Sequence, residues 1–286
     1  MLTIFLFLSA AVILTGIFDY GFSIWSIIAS FTRWTGGEMI GEFVGLKNYS
    51  ELIYDYVFVK SFMNTLILMG IYVIATTLLG LFLASLLHVG LKGSSVFKVI
   101  YLIPLSFSFP VSAAMWAWMY TPERGVINTI LRSINLDFLT QPWTSSPSQS
   151  LLCIAIAYVW QFSGFATIIY YAGLQAVPPE LAEAAEIDGA STFQKYIYVY
   201  WPLQKSTTVS VLAILLIYAL RIFDLPWLLT GGGPAHSSEV LSVYIYRTTY
   251  NQYAFGYGAA IGIVMLIIAI VTVVPVLRVT VTKRGA

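Results

Sequence analysis

At 286 residues the chain is 59% hydrophobic and only 9% charged, with a mean hydropathy of +0.84. A soluble domain carries about 25% charged residues, so a chain this poor in charge could not cover a water-facing surface, whereas lipid requires an apolar one. The 14 basic and 13 acidic residues nearly cancel, giving no sign of a nucleic-acid partner, and the single cysteine, Cys153, leaves no internal disulfide to form.

The expected class is therefore an all-α integral membrane protein, a single transmembrane domain over residues 1–286. A helix crossing a hydrocarbon core about 30 Å thick needs about 20 apolar residues. Six stretches qualify, near residues 4–29, 63–87, 99–120, 151–174, 207–229 and 257–279. The first has no basic residue before it and no small-residue cleavage site, so a retained helix is expected and not a signal peptide. Its Asp19 is expected to face other helices, since an ionisable group in a span is costly towards lipid. Pro104, Pro110 and Pro275 fall in the third and sixth stretches, where each removes a backbone donor and predicts a kink. The two histidines, His88 and His236, stand far apart near segment ends and read as surface or interfacial residues. With the termini placed in the cytoplasm, Lys92, Lys98, Lys195, Lys205, Arg278, Lys283 and Arg284 fall on the inner side, and the shorter inner loops are the denser in positive charge.

Between the fourth and fifth stretches lies a polar segment, residues 178–202, that spacing alone resolves into two short helices. Pro179 suits a first helical turn, Glu180 and Glu183 suit a helix N-terminus, and alanine favours the helix interior. Asp188-Gly189 then breaks the run, and Ser191-x-x-Gln194 is a capping box for a second helix. Pro202 interrupts the chain again before the fifth stretch. On the residues alone, this is a helix–turn–helix displaying small side chains, either a solvated connector or a docking surface.

The run Glu183-Ala184-Ala185, three residues, then Gly189, with Pro202 thirteen residues further on, resembles the EAA loop of ABC-importer permeases. Val199 and Trp201 stand where that pattern has Ile and Leu. Further runs resemble the carbohydrate, maltose-type branch, and its first permease in particular. They are Ser30-Phe31-Thr32, Phe43-Val44-Gly45-Leu46-Lys47-Asn48-Tyr49, Asn64-Thr65, Leu102-Ile103-Pro104 with Trp116, Gly125-Val126-Ile127-Asn128, Thr230-Gly231-Gly232-Gly233-Pro234, Tyr246-Arg247 and Phe255-Gly256-Tyr257.

The resemblance implies a six-helix type I ABC importer transmembrane domain in the cell membrane, multi-pass, with both termini cytoplasmic. It implies four kinds of partner: a second homologous permease chain, two ATPase subunits, an extracytoplasmic sugar-binding protein and membrane lipid. It implies no enzyme activity and no cofactor on this chain, which has no P-loop pattern; ATP and Mg belong to the ATPase. Glu183, Ala184, Ala185, Asp188, Gly189 and Pro202 would form the element that docks on the ATPase. The sugar path would run by the fourth and fifth helices. A sugar offers apolar ring faces and hydroxyls, so it calls for aromatic faces with a few polar groups. Tyr158, Trp160, Gln161 and Phe165 are the candidates on the fourth helix, with Tyr158, Gln161 and Phe165 sharing one face. On the fifth, Tyr218, Arg221 and Asp224 are candidates, and the three-residue spacing of Arg221 and Asp224 predicts an intrahelical ion pair, with solute contact as the alternative. Other readings are a permease for a polyol or glycerol phosphate, a secondary transporter without an ATPase, or a membrane enzyme. The first would call for several converging cations, the second for inverted repeats, and the third for a nucleophile–base or carboxylate cluster; the sequence shows none of these.

Overall fold

The computed structural model describes residue 9 and residues 12–37, 41–90 and 93–282, without the side chains of Asp19 and of residues 279–282. The expectations for Asp19, Lys92, Lys283 and Arg284 lie outside that set. The chain divides into two compact units, one formed by Met1–Phe62 with Leu241–Ile268 and the other by Met63–Val240 with Ala269–Ala286.

In the first unit, a π-helical stretch Gly16–Gly21 leads into α1 (Phe22–Ser30), and together they belong to a membrane-capable helix Val12–Ser30. A two-residue antiparallel pair follows, β1 (Thr32–Arg33) on β2 (Glu42–Phe43), with Thr32 opposite Phe43. The short helix α2 (Lys47–Tyr54) closes on it. The Asn48 side-chain amide donates to the carbonyls of Ser30 (2.8 Å) and Thr32 (3.0 Å), and the Tyr49 hydroxyl donates to Ser30 Oγ (2.7 Å). Two runs that stand far apart in sequence are thus one hydrogen-bonded unit.

Helix α3 (Tyr56–His88) begins at Tyr56 and not near residue 63, where hydropathy alone places the span. The reason is Asp55. Its extended backbone and its Oδ1, accepting the amides of Val57 (2.8 Å) and Phe58 (3.3 Å), cap the helix a full two turns before the apolar run. The hydroxyl of Tyr257 donates to Asp55 Oδ2 (2.7 Å), and Tyr244 donates to the same oxygen. Burial pushes the Asp55 carboxyl up, but the donations from Tyr244, Tyr257, Phe58 and Val57 outweigh it and hold the carboxyl below the usual carboxylate range. This unit also holds the short helix Leu241–Tyr246 and the start of the last helix, where the Trp34 and Phe255 rings meet at 4.9 Å.

The second unit holds most of α3, then α4 (Ser94–Ser106), α5 (Phe109–Met119), α6 (Val126–Ser133), α7 (Ser150–Gln175), α8 (Pro179–Ile187), α9 (Thr192–Lys195), α10 (Trp201–Leu203), α11 (Lys205–Leu220) and α12 (Asp224–Thr230). Helix α13 (Leu241–Tyr246) and α14 (Phe255–Thr282) complete the chain.

The third expected span is two helices, α4 and α5, meeting at 101°. Phe107 and Ser108 are extended, and Pro110 sits in the first turn of α5, where its missing N–H is harmless. The amide of Gln161 donates to the Phe107 carbonyl (3.1 Å) that the break leaves free. The fifth expected span is also divided: α11 ends at Leu220 and α12 starts at Asp224. Among the described residues, four helices are long and apolar enough to cross a membrane alone, and the number is six if each of the bent pairs, α4–α5 and Thr192–Leu203 with α11, is one span.

Helix α7 is the centre of this unit. It packs against α4, α5, α11 and α12, and small residues let it do so. A Cβ on Gly164 would lie 1.7 Å from the Tyr101 carbonyl oxygen, so α4 crosses α7 at backbone contact.

Candidate functional site

Two regions of the second unit carry the residues of functional interest. The first is the elbow α8–α9. Pro179 opens α8 at the first-turn position, and the helix ends in a two-bond left-handed stop: the Gly189 amide donates to the Glu186 carbonyl (3.0 Å), and the Ala190 amide to the Ala185 carbonyl (2.9 Å). Gly189 has φ +83°, and a Cβ there would touch nothing, so the backbone conformation and not crowding calls for glycine. Asp188 is the residue before it, at the helix end. Ser191 then caps α9 reciprocally with Gln194: Ser191 N–H donates to Gln194 Oε1 (2.7 Å), and Gln194 N–H to Ser191 Oγ (3.4 Å). Lys195 Nζ reaches back 2.9 Å to Glu186 Oε2, joining the two helices across the turn.

The elbow is held from behind. Its continuation is π-helical over Tyr196–Tyr200, in the turn just before Pro202, whose ring would collide with the carbonyl four residues back in a regular helix. Trp201 Nε1 donates to Ser85 Oγ on α3 (3.0 Å), and the Tyr196 hydroxyl shares a 2.7 Å hydrogen bond with His88 Nδ1 at the end of α3. The His88 ring stands edge-on to Tyr196 and Tyr200. In front the elbow is bare: Glu183, Ala184, Ile187, Asp188 and Gly189 are exposed, and Ala185 is half-buried. Ile187 is 87% exposed, an apolar side chain with nothing of its own chain to cover it.

The second region is a cavity of about 220 Å³. Tyr72 of α3, Phe109 of α5, Tyr158 and Phe162 of α7, and Tyr218 of α11 supply aromatic walls. Arg221 and Asp224, with Ile222, supply the break between α11 and α12. The rings interlock: Tyr72 meets Tyr158 at 5.8 Å and Phe162 at 5.6 Å, and Phe162 meets Tyr218 at 5.0 Å. The expected intrahelical ion pair of Arg221 and Asp224 is not formed. The helix ends between them, and no salt bridge joins them among the described residues. Both face the cavity instead.

Four of the expected path residues, Tyr158, Tyr218, Arg221 and Asp224, therefore meet in one place. Trp160 lies outside it. Two residues along a helix is about 200° around it, which turns Trp160 to Phe107 (6.2 Å) and Trp116 (5.7 Å) at the bend of α4 and α5. Gln161 is committed to the Phe107 carbonyl, and Phe165 packs edge-on to Tyr218 (6.5 Å) without lining the cavity. Sequence reasoning missed Tyr72, Phe109, Phe162 and Ile222. Phe162 was within reach, being four residues from Tyr158 on the same face. The others come from elements whose approach only the packed unit defines.

Residues 76–284, which include the elbow and all of the cavity lining except Tyr72, match the family described as binding-protein-dependent transport system inner membrane component. The chain belongs to this family. It is 44% identical over 274 residues to a probable ABC transporter permease protein of Pyrococcus horikoshii, covering 96% of this chain and 94% of the relative. It is 33% identical over 267 residues to the xylose/arabinose import permease protein of Haloferax volcanii, covering 93% and 84%. It is 36% identical over 228 residues to the trehalose/maltose transport system permease protein of Thermococcus litoralis, covering 80% and 76%. Its fold is that of a chain in a bacterial ABC transporter involved in the import of alginate, with a TM-score of 0.83, 24% identity and coverage of 97% and 94%. The chain is thus an ABC permease, a transport subunit and an inner membrane component with the type I importer fold. The motif resemblance to the carbohydrate branch agrees with these relatives.

Proposed function

We propose that this permease is one of two homologous subunits enclosing the path of an ATP-driven sugar importer, and that the α8–α9 elbow is where a cytoplasmic ATPase grips it. The observation that carries the reading is the contrast across the elbow. Its back is fastened to α3 through Trp201 and Tyr196, and its front leaves Glu183, Ala184 and Ile187 uncovered. A surface that is rigid behind and bare in front transmits displacement as rigid-body motion. Ala184 and Ala185 let a partner approach closely, and Glu183 offers a carboxylate to donors on it. On this reading the elbow and both termini lie in the cytoplasm, and an extracytoplasmic binding protein delivers solute to the other side. ATP and Mg act on the ATPase.

Sugar is favoured as the solute because the cavity is walled by aromatic rings and has only one cationic side chain in its lining, Arg221. A phosphorylated solute would call for more. The names of the xylose/arabinose and trehalose/maltose relatives agree. The test is reconstitution of the full complex in proteoliposomes with ATP-driven sugar uptake as readout, comparing wild type with Ala184→Trp. The bulky side chain is expected to leave the permease folded, to release the ATPase on purification and to abolish uptake. Retained ATPase and wild-type uptake would sink the coupling assignment.

A further inference from the structure

Behind the elbow lies a groove of about 340 Å³, between the end of α3 and the segment that carries α9 into α10. Phe82, Leu86 and Val89 form one wall, and Phe193, Tyr196 and Trp201 form the other. Three polar side chains of the lining are already spent. Trp201 Nε1 donates to Ser85 Oγ (3.0 Å), Ser85 Oγ donates to the Leu81 carbonyl (2.8 Å), and the Tyr196 hydroxyl is bonded to His88. The remaining hydroxyl, that of Thr192, belongs to an exposed residue. A charged or hydroxyl-rich solute would give up its hydration here for little in return. What the groove offers is open apolar surface: Phe193 is 69% exposed, and Phe82, Leu86 and Val89 are exposed as well.

One face of α3 identifies what covers that surface. Ile67, Ile74, Leu78, Phe82, Leu86 and Val89 are all exposed and follow one another at helical spacing, so they form a single apolar stripe. At 1.5 Å per residue, Ile67 to Val89 covers about 33 Å, close to the ~30 Å of a hydrocarbon core. In an inner membrane component such a stripe is covered by lipid. The groove is the last part of this stripe, where the continuation of the elbow meets α3. Hydrocarbon lying on Leu78 therefore has an uninterrupted apolar track to Phe193. Tyr196, Tyr198, Tyr200 and Trp201 gather at this end, as aromatic side chains do at a membrane–water interface.

We infer that the groove seats one hydrocarbon tail of a membrane lipid, and that this tail braces the elbow against α3. The hydrogen bonds of Trp201 and Tyr196 fasten the elbow's continuation to α3, yet they leave Phe193 on α9 with little cover from its own chain. A tail in the groove supplies that missing packing. The seat itself rests on the lipid-facing stripe of α3. That the lipid belongs to the inner leaflet, and that the brace bears on ATPase coupling, rest on the reading of the elbow proposed above.

The test uses the complete transporter in nanodiscs of phosphatidylglycerol, a fraction of which carries a photoactivatable diazirine at the end of one tail. After illumination, adducts are mapped by peptide mass spectrometry. They are expected on Leu86 and Phe193 at a yield similar to that on Leu78 of the open stripe. Adducts on Leu78 with none on Phe193 would overturn the seat. So would adducts on Phe193 that occur in the isolated permease and vanish in the complete transporter, because a partner protein would then fill the groove. Leu86→Trp, which fills the groove from α3, is expected to cut the yield on Phe193 several-fold and to leave Leu78 unchanged; an undiminished yield on Phe193 would count against the seat. Phe193→Ser removes the outer wall at an exposed position, where little folding energy is at stake. It is expected to lower the yield on Leu86 and to quicken amide hydrogen exchange over residues 192–200 several-fold. Exchange at the wild-type rate would show that the tail braces nothing. A wild-type permease that labels at Phe193 but binds no ATPase through the elbow would sink the handle reading and leave the lipid seat standing.

Discussion

The elbow and the cavity sit in the same compact unit and are stabilised in opposite ways. The elbow's shape is local. Every bond that turns the chain between α8 and α9 joins residues within Glu186–Lys195 or the helix end before it: the left-handed stop at Gly189, the Ser191–Gln194 box and the Glu186–Lys195 pair. The cavity has no such local rule. Its wall is assembled from α3, α5, α7, α11 and α12, and it exists only because those elements approach α7 at close range. A locally coded element can be bare and still rigid, which suits a handle gripped by another protein. A non-locally assembled one is sensitive to any change in helix spacing, which suits a site that must open and close.

The comparison breaks most visibly at Gly164. A methyl group there would lie 1.7 Å from the Tyr101 oxygen, and backbone cannot step aside as a side chain can. Gly164→Ala is expected to force α4 off α7 at a cost of about 1–3 kcal/mol or more. The melting temperature of the purified complex should drop, and uptake should fail, while the elbow still binds ATPase. Survival of uptake at wild-type level would show that the cavity tolerates a shift of α4.

A smaller and differently distributed effect is expected at Gly189. Alanine would meet no neighbour but would have to hold φ near +83°, costing about 1–2 kcal/mol. This should loosen the elbow without touching the membrane helices: melting nearly unchanged, ATPase coupling and uptake reduced several-fold. A large drop in melting temperature would instead mean that the elbow helps hold the bundle together.

The smallest effect belongs to Lys195→Ala. The Glu186 side chain is 71% exposed, so its 2.9 Å contact with Lys195 is water-screened, and such pairs contribute about 0–1 kcal/mol. Uptake within about twofold of wild type is expected, with any deficit vanishing at high salt. A severe loss would make Lys195 part of the grip on the ATPase and not only of the turn.

The sequence by itself determined that the chain lives in a membrane, because a chain with 9% charge has no other way to hide its surface. It also determined the elbow, since prolines, a capping box and an Asp-Gly break act on the residues beside them, and the EAA-like run could be read without knowing what α8 touches. What the sequence could not fix were the span edges and the cavity. Asp55 moved the start of α3 outwards because a cap is set by one polar residue and not by average hydropathy. The break at Arg221–Phe223 turned an expected ion pair into two separate cavity-facing groups. Tyr72 joined Tyr158 across 86 residues of chain, and Trp160 was turned away, because side chains from distant helices meet according to backbone approach and rotation about the helix axis. Those are settled by packing of the whole unit, through contacts such as Gly164 on Tyr101, and no short window of sequence records them.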